Sequence, residues 1–373
     1  MKLPSPRRPL VAAALASAGA LMLPAAADAN LVAAYDHAVP GGGLDIGLVD
    51  INARAPIPVP AGVNTPADET HPSLSADASQ LVFQRRGITV RVPLRPAGPP
   101  VTTSPLAGTP PLATPSLSPD GAREITARGA LQPDGRSIGT PGKRGVVTVS
   151  GSAGEFPAPM SAPYAQPGGG TADPSIDSGA NPVMAWSTSR VAGGRNTWDL
   201  DLLQFTAPGF QGTLNRLAGL VGTDRHAYLQ GTARFGVVTF VDVPIGPDGR
   251  YGPGDLGTLF SNGAVSMYPS GSPSDRTKIN TPLDERAVAY SGDGRYMGFL
   301  RRGPDGRVVL EVFDSGRQRL LDRGIDLGFD PDSNARRVNT GLSLALDPTR
   351  FHSPCVNPLP GVQCLRSNAR PRA

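Results

Sequence analysis

The chain has 373 residues, with 46 Gly and 41 Pro, 39% hydrophobic residues and 5% aromatics. Gly and Pro both penalise helix interiors, so this composition excludes a mainly helical protein and leaves a turn-rich, all-β core with Pro-rich loops. The net charge is +4, and near +2 without the first 29 residues, which excludes the strongly basic balance of a nucleic-acid-binding domain.

At the N-terminus, "MKLPSPRR" is basic, "PLVAAALASAGALML" is apolar, and Ala27-Asp28-Ala29 has the small-x-small form of a cleavage site. Residues 1–29 therefore read as a Sec-type signal peptide cut near Ala29/Asn30. They predict a secreted or periplasmic protein. No Cys lies near the cut, which argues against a lipid anchor. No later stretch reaches the about 20 apolar residues of a membrane span, so the mature chain is expected to have no transmembrane span.

Further along, four units follow one plan: "ETHPSLSADASQLVFQRRG" from Glu69, "LATPSLSPDGAREITARG" from Leu112, "TADPSIDSGANPVMAWSTSR" from Thr171 and "DERAVAYSGDGRYMGFLRRG" from Asp284. Each is a short strand, a turn and a second strand. Three carry Pro-Ser before Leu or Ile, at Pro72-Ser73, Pro115-Ser116 and Pro174-Ser175. In Ser118-Pro119-Asp120-Gly121, Pro sets the first turn angle, Asp suits the second and Gly takes the conformation that follows. Pro-Asp-Gly recurs at 133–135, 247–249 and 304–306, where a second hairpin would turn. Over 285–322 the pattern predicts four short strands. One small sheet cannot bury both faces, so repeated four-stranded units predict blades packed around an axis.

We expect an irregular β-propeller of about six four-stranded blades over residues 30–352, with boundaries near 30–60, 61–105, 106–165, 166–222, 223–278 and 279–350. The N-terminal strand is expected to complete the last blade and close the ring. The stretches 95–114 and 154–173 read as Pro/Gly-rich surface inserts, and "GTLNRLAGLVG" (212–222) as one short helix. Residues 353–373 form a tail in which Cys355 and Cys364 are expected to close a small disulfide loop, as befits an exported chain. "HPSLSADASQLVF", "TPSLSPDGAREI" and "DPSIDSGANPVMAW" resemble the repeats of the TolB-like β-propeller family, with its Pro-x-Phe/Leu-Ser-Pro-Asp-Gly pattern. The family's aspartate-hydrophobic-tyrosine phrase has only weak counterparts here, "TWDLDLLQF" and "LDIGLVDI". The resemblance implies the fold and is poor for function.

Catalytic signatures are mostly missing from the sequence. The four His (His37, His71, His226, His352) have no i, i+4 partner, and there is no Gly-x-Ser-x-Gly elbow, phosphate loop or dinucleotide fingerprint. Asp330, Asp332 and Asn334 have the oxygen spacing of a calcium loop. Ala335 stands where Gly is needed and Gly341 where a bidentate Glu belongs, so solvated turn acids are the simpler reading and Ca²⁺ the alternative. No other cofactor is expected. Trp186 and Trp198 could stack on a sugar ring, but core packing is the simpler role. The residue before each Pro-Ser pair is His71, Thr114 or Asp173, with Arg286 in the corresponding place of the sixth blade. On innermost strands these would sit at one mouth of the central channel, as a ligand or partner site or merely as a solvated rim. The leading expectation is a monomeric, non-enzymatic scaffold binding a protein or cell-envelope component. The alternative is a carbohydrate-active lyase or glycosidase with paired carboxylates about 5–10 Å apart.

Overall fold

The computed structural model describes residues 29–40, 43–103, 113–128, 146–150, 160–161, 171–177, 183–192, 195–204, 213–216, 226–234, 236–244, 252–260, 264–329 and 341–351. The expected signal segment, the acidic run Asp330, Asp332 and Asn334, and the tail with Cys355 and Cys364 lie outside the described residues.

Among the described residues every regular element is a strand, and no helix is long and apolar enough to cross a membrane. Strands β1 (Ala29–Ala38), β2 (Leu44–Asp50) and β3 (Ala55–Ile57) open the first sheet. The second holds β4 (Glu69–Leu74), β5 (Gln80–Arg85), β6 (Ile88–Pro93) and β7 (Val101–Thr103). The third holds β8 (Ala113–Leu117), β9 (Glu124–Arg128), β10 (Val146–Ser150) and β11 (Met160–Ser161). The fourth holds β12 (Thr171–Ile176), β13 (Val183–Ala192), β14 (Arg195–Gln204) and β15 (Thr213–Arg216). The fifth holds β16 (His226–Arg234), β17 (Val237–Pro244), β18 (Asp255–Leu259) and β19 (Val265–Met267). The sixth holds β20 (Asp284–Tyr290), β21 (Tyr296–Arg302) and β22 (Arg307–Asp314), whose outer edge is shared by β23 (Arg319–Leu320) and β24 (Ile325–Phe329). The last strand, β25 (Leu342–Phe351), returns to pair with β1. All pairings within the sheets are antiparallel, and the first strand of each sheet from the second to the sixth is its innermost. The result is six small sheets around a channel, a β-propeller.

Packing between blades explains the burial pattern. The middle residues of β20 and β21 are buried on both faces, because each sheet is covered on either side by its neighbours. Five apolar clusters sit at the blade interfaces. Val241, Val243 and Leu256 of the fifth sheet meet Val288, Met297 and Phe299 of the sixth. Trp186 of the fourth, fully buried, meets Ile125, Ala127 and Val147 of the third. Its role is packing, not sugar stacking.

Two expectations are corrected. Thr213–Arg216, expected in a helix, is the outer strand β15. Pairing with β14 outweighs the local helical pattern. Ring closure also runs the other way. The N-terminal strands complete no last blade; instead β25 supplies the innermost strand of the first sheet. The sixth blade already has its own inner strand, so the vacant place is beside β1.

One repeated device escaped the sequence reading. Asn64-Thr65-Pro66-Ala67-Asp68-Glu69 and Asn280-Thr281-Pro282-Leu283-Asp284-Glu285 lead into β4 and β20 with the same bonds. Asn64 grips both backbone groups of Ile46 (3.0 and 3.0 Å), and Asn280 those of Leu256 (2.8 and 2.9 Å). Asp68 accepts from the Leu44 N–H and Asp284 from that of Gly254, each at 2.9 Å. The hydroxyls of Thr65 and Thr281 donate to Glu69 and Glu285, each at 2.6 Å. Arg85 Nε and Arg301 Nε donate to the same carboxylates at 2.7 and 2.9 Å. Each loop thus clasps one blade to the inner strand of the next.

Candidate functional site at the channel mouth

The innermost strands β4, β8, β12, β16, β20 and β25 line a channel of about 110 Å³. At one level of it the six strands contribute Ser73, Ser116, Ser175, Thr232, Ala289 and Ser343. Neighbouring inner strands share no backbone ladder, and these hydroxyls stand in for one. Ser343 Oγ accepts from the Leu74 N–H (2.9 Å), Ser73 Oγ from that of Leu117 (3.0 Å), and Ser175 Oγ from that of Ala233 (2.9 Å). Thr232 Oγ1 donates to the Val288 carbonyl at 2.6 Å. The Ser of the Pro-Ser repeat is therefore a stitch between blades.

Toward the strand starts, the inner strands β4, β12 and β20 bulge. His71-Pro72 and Asp173-Pro174 each set two residues against one on the partner strand, and His71 (φ 55°) and Asp173 (φ 45°) take the left-handed conformation. Asp and His are among the residues that tolerate it, and a bulge re-aims the side chain. Thr114 is β-branched, and β8 keeps regular register against β9. In the sixth blade the bulged residue is Ala287 (φ 42°), not Arg286. The notion that Arg286 faces the mouth is thus corrected: the bulge displaces the register by one residue. The Arg286 guanidinium, buried, pairs with Asp284 in the clasp (Nε to Oδ2, 2.5 Å).

The three remaining sequence candidates converge. His71 Nε2 lies 3.3 Å from Asp173 Oδ1, an ion pair rather than an aligned hydrogen bond. The Asp173 N–H donates to Thr114 Oγ1 at 3.1 Å. A fourth member, Asp36 of β1, was missed. Its Oδ2 accepts from the backbone N–H groups of His71 and Gly341, each at 3.0 Å. Asp36 lies in no repeat, so only the fold could bring it here. Gly341 must be glycine: a Cβ there would stand 2.6 Å from the His71 Cα.

Both side chains of the ion pair are enclosed, His71 at 14% and Asp173 at 2% exposure. Burial pulls the imidazole pKa down, but contact with Asp173, the charges of Asp173 and Asp36, and a bond with Gln84 outweigh it. His71 is thereby raised above its ordinary 6.5. Behind the ring, His71 Nδ1 is 3.0 Å from Thr70 Oγ1, whose proton goes to Gln84 Oε1 at 3.2 Å. Thr70 is not part of the channel lining, so this hydroxyl is an acceptor for the imidazole and not a poised nucleophile. At the opposite end, Asp177 accepts from Arg234 (3.5 Å) and from the Gly236 N–H (3.2 Å), and Tyr290 shares a bond with Thr239 (2.6 Å). Among the described residues no three His, Cys, Asp or Glu side chains are placed to hold a metal ion together.

No protein-family model matches the sequence, and no curated protein does. Solved structures do resemble the fold. TolB from Acinetobacter baumannii superposes with a TM-score of 0.52 at 13% identity, covering 85% of this chain and 66% of that one, so the match spans just under two thirds of the larger protein. The TolB candidate from Agrobacterium tumefaciens gives 0.48 at 12% identity, over 86% and 98% of the two chains. Pyrococcus horikoshii acylaminoacyl peptidase gives 0.40 at 12%, over 81% and 51%. The fold is that of the TolB-like β-propellers.

Proposed function

We propose that this chain is an exported, non-enzymatic propeller that binds a protein or cell-envelope component at the channel mouth formed by His71, Thr114 and Asp173, with Asp36 buried behind His71. The observation that carries this reading is the enclosed His71–Asp173 pair with Thr114 at one end of a channel whose remaining lining is mainly apolar side chains and structural hydroxyls. Export rests on the basic, apolar and Ala-x-Ala succession of residues 1–29. The Thr70 hydroxyl beside the imidazole directs its proton to Gln84 and does not line the channel, so it supplies no nucleophile there. The glycosidase alternative needs one carboxyl held as an acid and another free to attack. Here the Asp36 Oδ2 is occupied by two backbone N–H groups, which favours binding over turnover.

The test is affinity capture from envelope extracts with residues 30–373 as bait. A parallel bait carries Thr114→Trp, which fills the mouth. A partner retained by the parent bait and lost with Thr114→Trp supports the reading. Equal recovery by both baits places binding elsewhere. Recovery of no partner, or turnover of glycan substrates, overturns the scaffold reading.

A further inference from the structure

The six blades follow one another around the ring, so His71 in the second and Asp173 in the fourth are not neighbours. Their contact skips Thr114 of the third blade and runs across the mouth. Both residues are held in left-handed backbone conformations by their bulges, and Gly341 of the first sheet packs against the His71 backbone. Asp173 Oδ2 is buried and, among the described residues, meets no hydrogen-bond donor. A buried carboxylate oxygen without a donor is costly, and among the described residues the adjoining imidazolium is what compensates it.

We propose that the His71–Asp173 pair is a proton-operated latch across the channel mouth, closed while His71 carries a second proton and, once that proton leaves, yielding Asp173 to a cationic group of an incoming ligand. The proposal rests on the partner-site reading for its biological meaning, but its chemistry does not need the partner. The groups facing the imidazole are Asp173 from β12, Asp36 from β1, Gln84 from β5 and Thr70 from its own strand. Among these described residues, two are carboxylates and none is a cation. Protonated, His71 balances one of them. Neutral, it leaves two carboxylates around an uncharged ring, an arrangement that attracts a Lys or Arg side chain. The carboxylates beside the ring raise the imidazole pKa, so the change falls above the ordinary 6.5 of a free imidazole.

The experiment is a histidine-resolved NMR titration of the whole chain, with His71 assigned by loss of its signal in His71→Gln. It is joined to hydrogen exchange of residues 71–74, 114–117 and 173–176. We expect the His71 pKa to lie above 6.5 and to fall by about 1 pH unit or more in Asp173→Asn. Exchange protection of the three strand starts should drop about tenfold between about pH 5.5 and 8 after correction for intrinsic rates. In His71→Gln, which keeps the bulge without the charge, protection should be pH-independent. Arginine amide should lower the apparent His71 pKa in the parent chain and not in Asp173→Asn, since proton and cation compete for one carboxylate. A His71 pKa at or below 6.5, protection indifferent to pH, or a titration unmoved by arginine amide would each overturn the latch. A failed partner capture would leave all three readouts standing, so the two proposals fail separately.

Discussion

Glu285 shows what a buried charge costs in this scaffold. Its carboxylate is fully enclosed, takes bonds from the backbone and hydroxyl of Thr281, and meets Arg301, which also reaches Glu311 at 3.3 Å. Burial is the dominant effect and pushes its pKa up to about 7, against the pull of Thr281 and Arg301. An acid whose folded pKa exceeds its unfolded one holds a proton in the native state that the unfolded chain has lost. Stability must therefore fall as pH rises from about 4.5 to 7, by on the order of 1–3 kcal/mol from this group. Urea unfolding across that range should show the decline, and Glu285→Gln should flatten it, matching the parent near pH 5. A Gln variant with the parent's slope would mean the carboxylate is ionised throughout. Removing the side chain altogether, Glu285→Ala, leaves Arg301 only Glu311 and the Ile279 carbonyl and should cost about 3 kcal/mol at pH 7. None of this was read from the sequence, although Asn-Thr-Pro-x-Asp-Glu stands there twice, at 64–69 and 280–285. The words precede the strand-turn-strand unit, so a search keyed to turns passes over them.

At the scale of the strand, the Pro-Ser-Leu repeat was legible as a blade marker because turn chemistry is local: Ser75, Ser118 and Ser291 each bond the Asp two residues on. The work of Ser73, Ser175 and Ser343 was not legible, because their partners lie in the adjacent blade, 44, 58 and 269 residues away. The same limit explains Arg286. A bulge at Ala287 adds one residue to β20, and no local signal shows that the channel lining begins only at Val288. His71, Thr114 and Asp173 escaped that error because the Pro-Ser pair after each marks the register, a mark that β20 lacks. Two substitutions measure the stitches against the apolar packing. Ser175→Ala leaves the Ala233 N–H without its acceptor and should cost about 1–3 kcal/mol. Trp186→Ala empties the interface of the third and fourth blades and should cost about 3–5 kcal/mol. Chemical denaturation reads both. If Ser175→Ala is neutral while Trp186→Ala is not, apolar packing alone joins the blades and the hydroxyl ring is incidental.

For the whole molecule the decisive element is β25. The segment "LSLALDP" carries neither the Pro-Ser pair nor the Pro-Asp-Gly turn of the repeats, so the sequence offered no sign of which end closes the ring. In the fold this strand pairs with β1 from Asn30 to Tyr35 and touches both β4 and β20. Its Ala345 belongs to the apolar cluster shared by the first and second sheets, and Leu344 to the one shared by the first and sixth. Ser343 holds the Leu74 N–H, and Gly341 anchors Asp36 under His71. One strand thus serves two blade interfaces and one side of the channel mouth. Deleting residues 342–373 should therefore do more than shorten the first sheet. It exposes the inner edge of β1 and opens two apolar clusters together, so the loss should propagate around the ring. We expect that variant to unfold with a lower midpoint and a reduced denaturant slope, because less surface is left to expose. Deleting only 352–373, with both cysteines, removes no residue of a described strand and should keep the parent's midpoint and slope. Equal slopes for all three chains would mean that the other five blades hold the ring without this strand, and that closure is a local matter of the first sheet. The expected contrast follows from geometry: a ring of sheets has no free face until one inner strand is withdrawn, and then it has two.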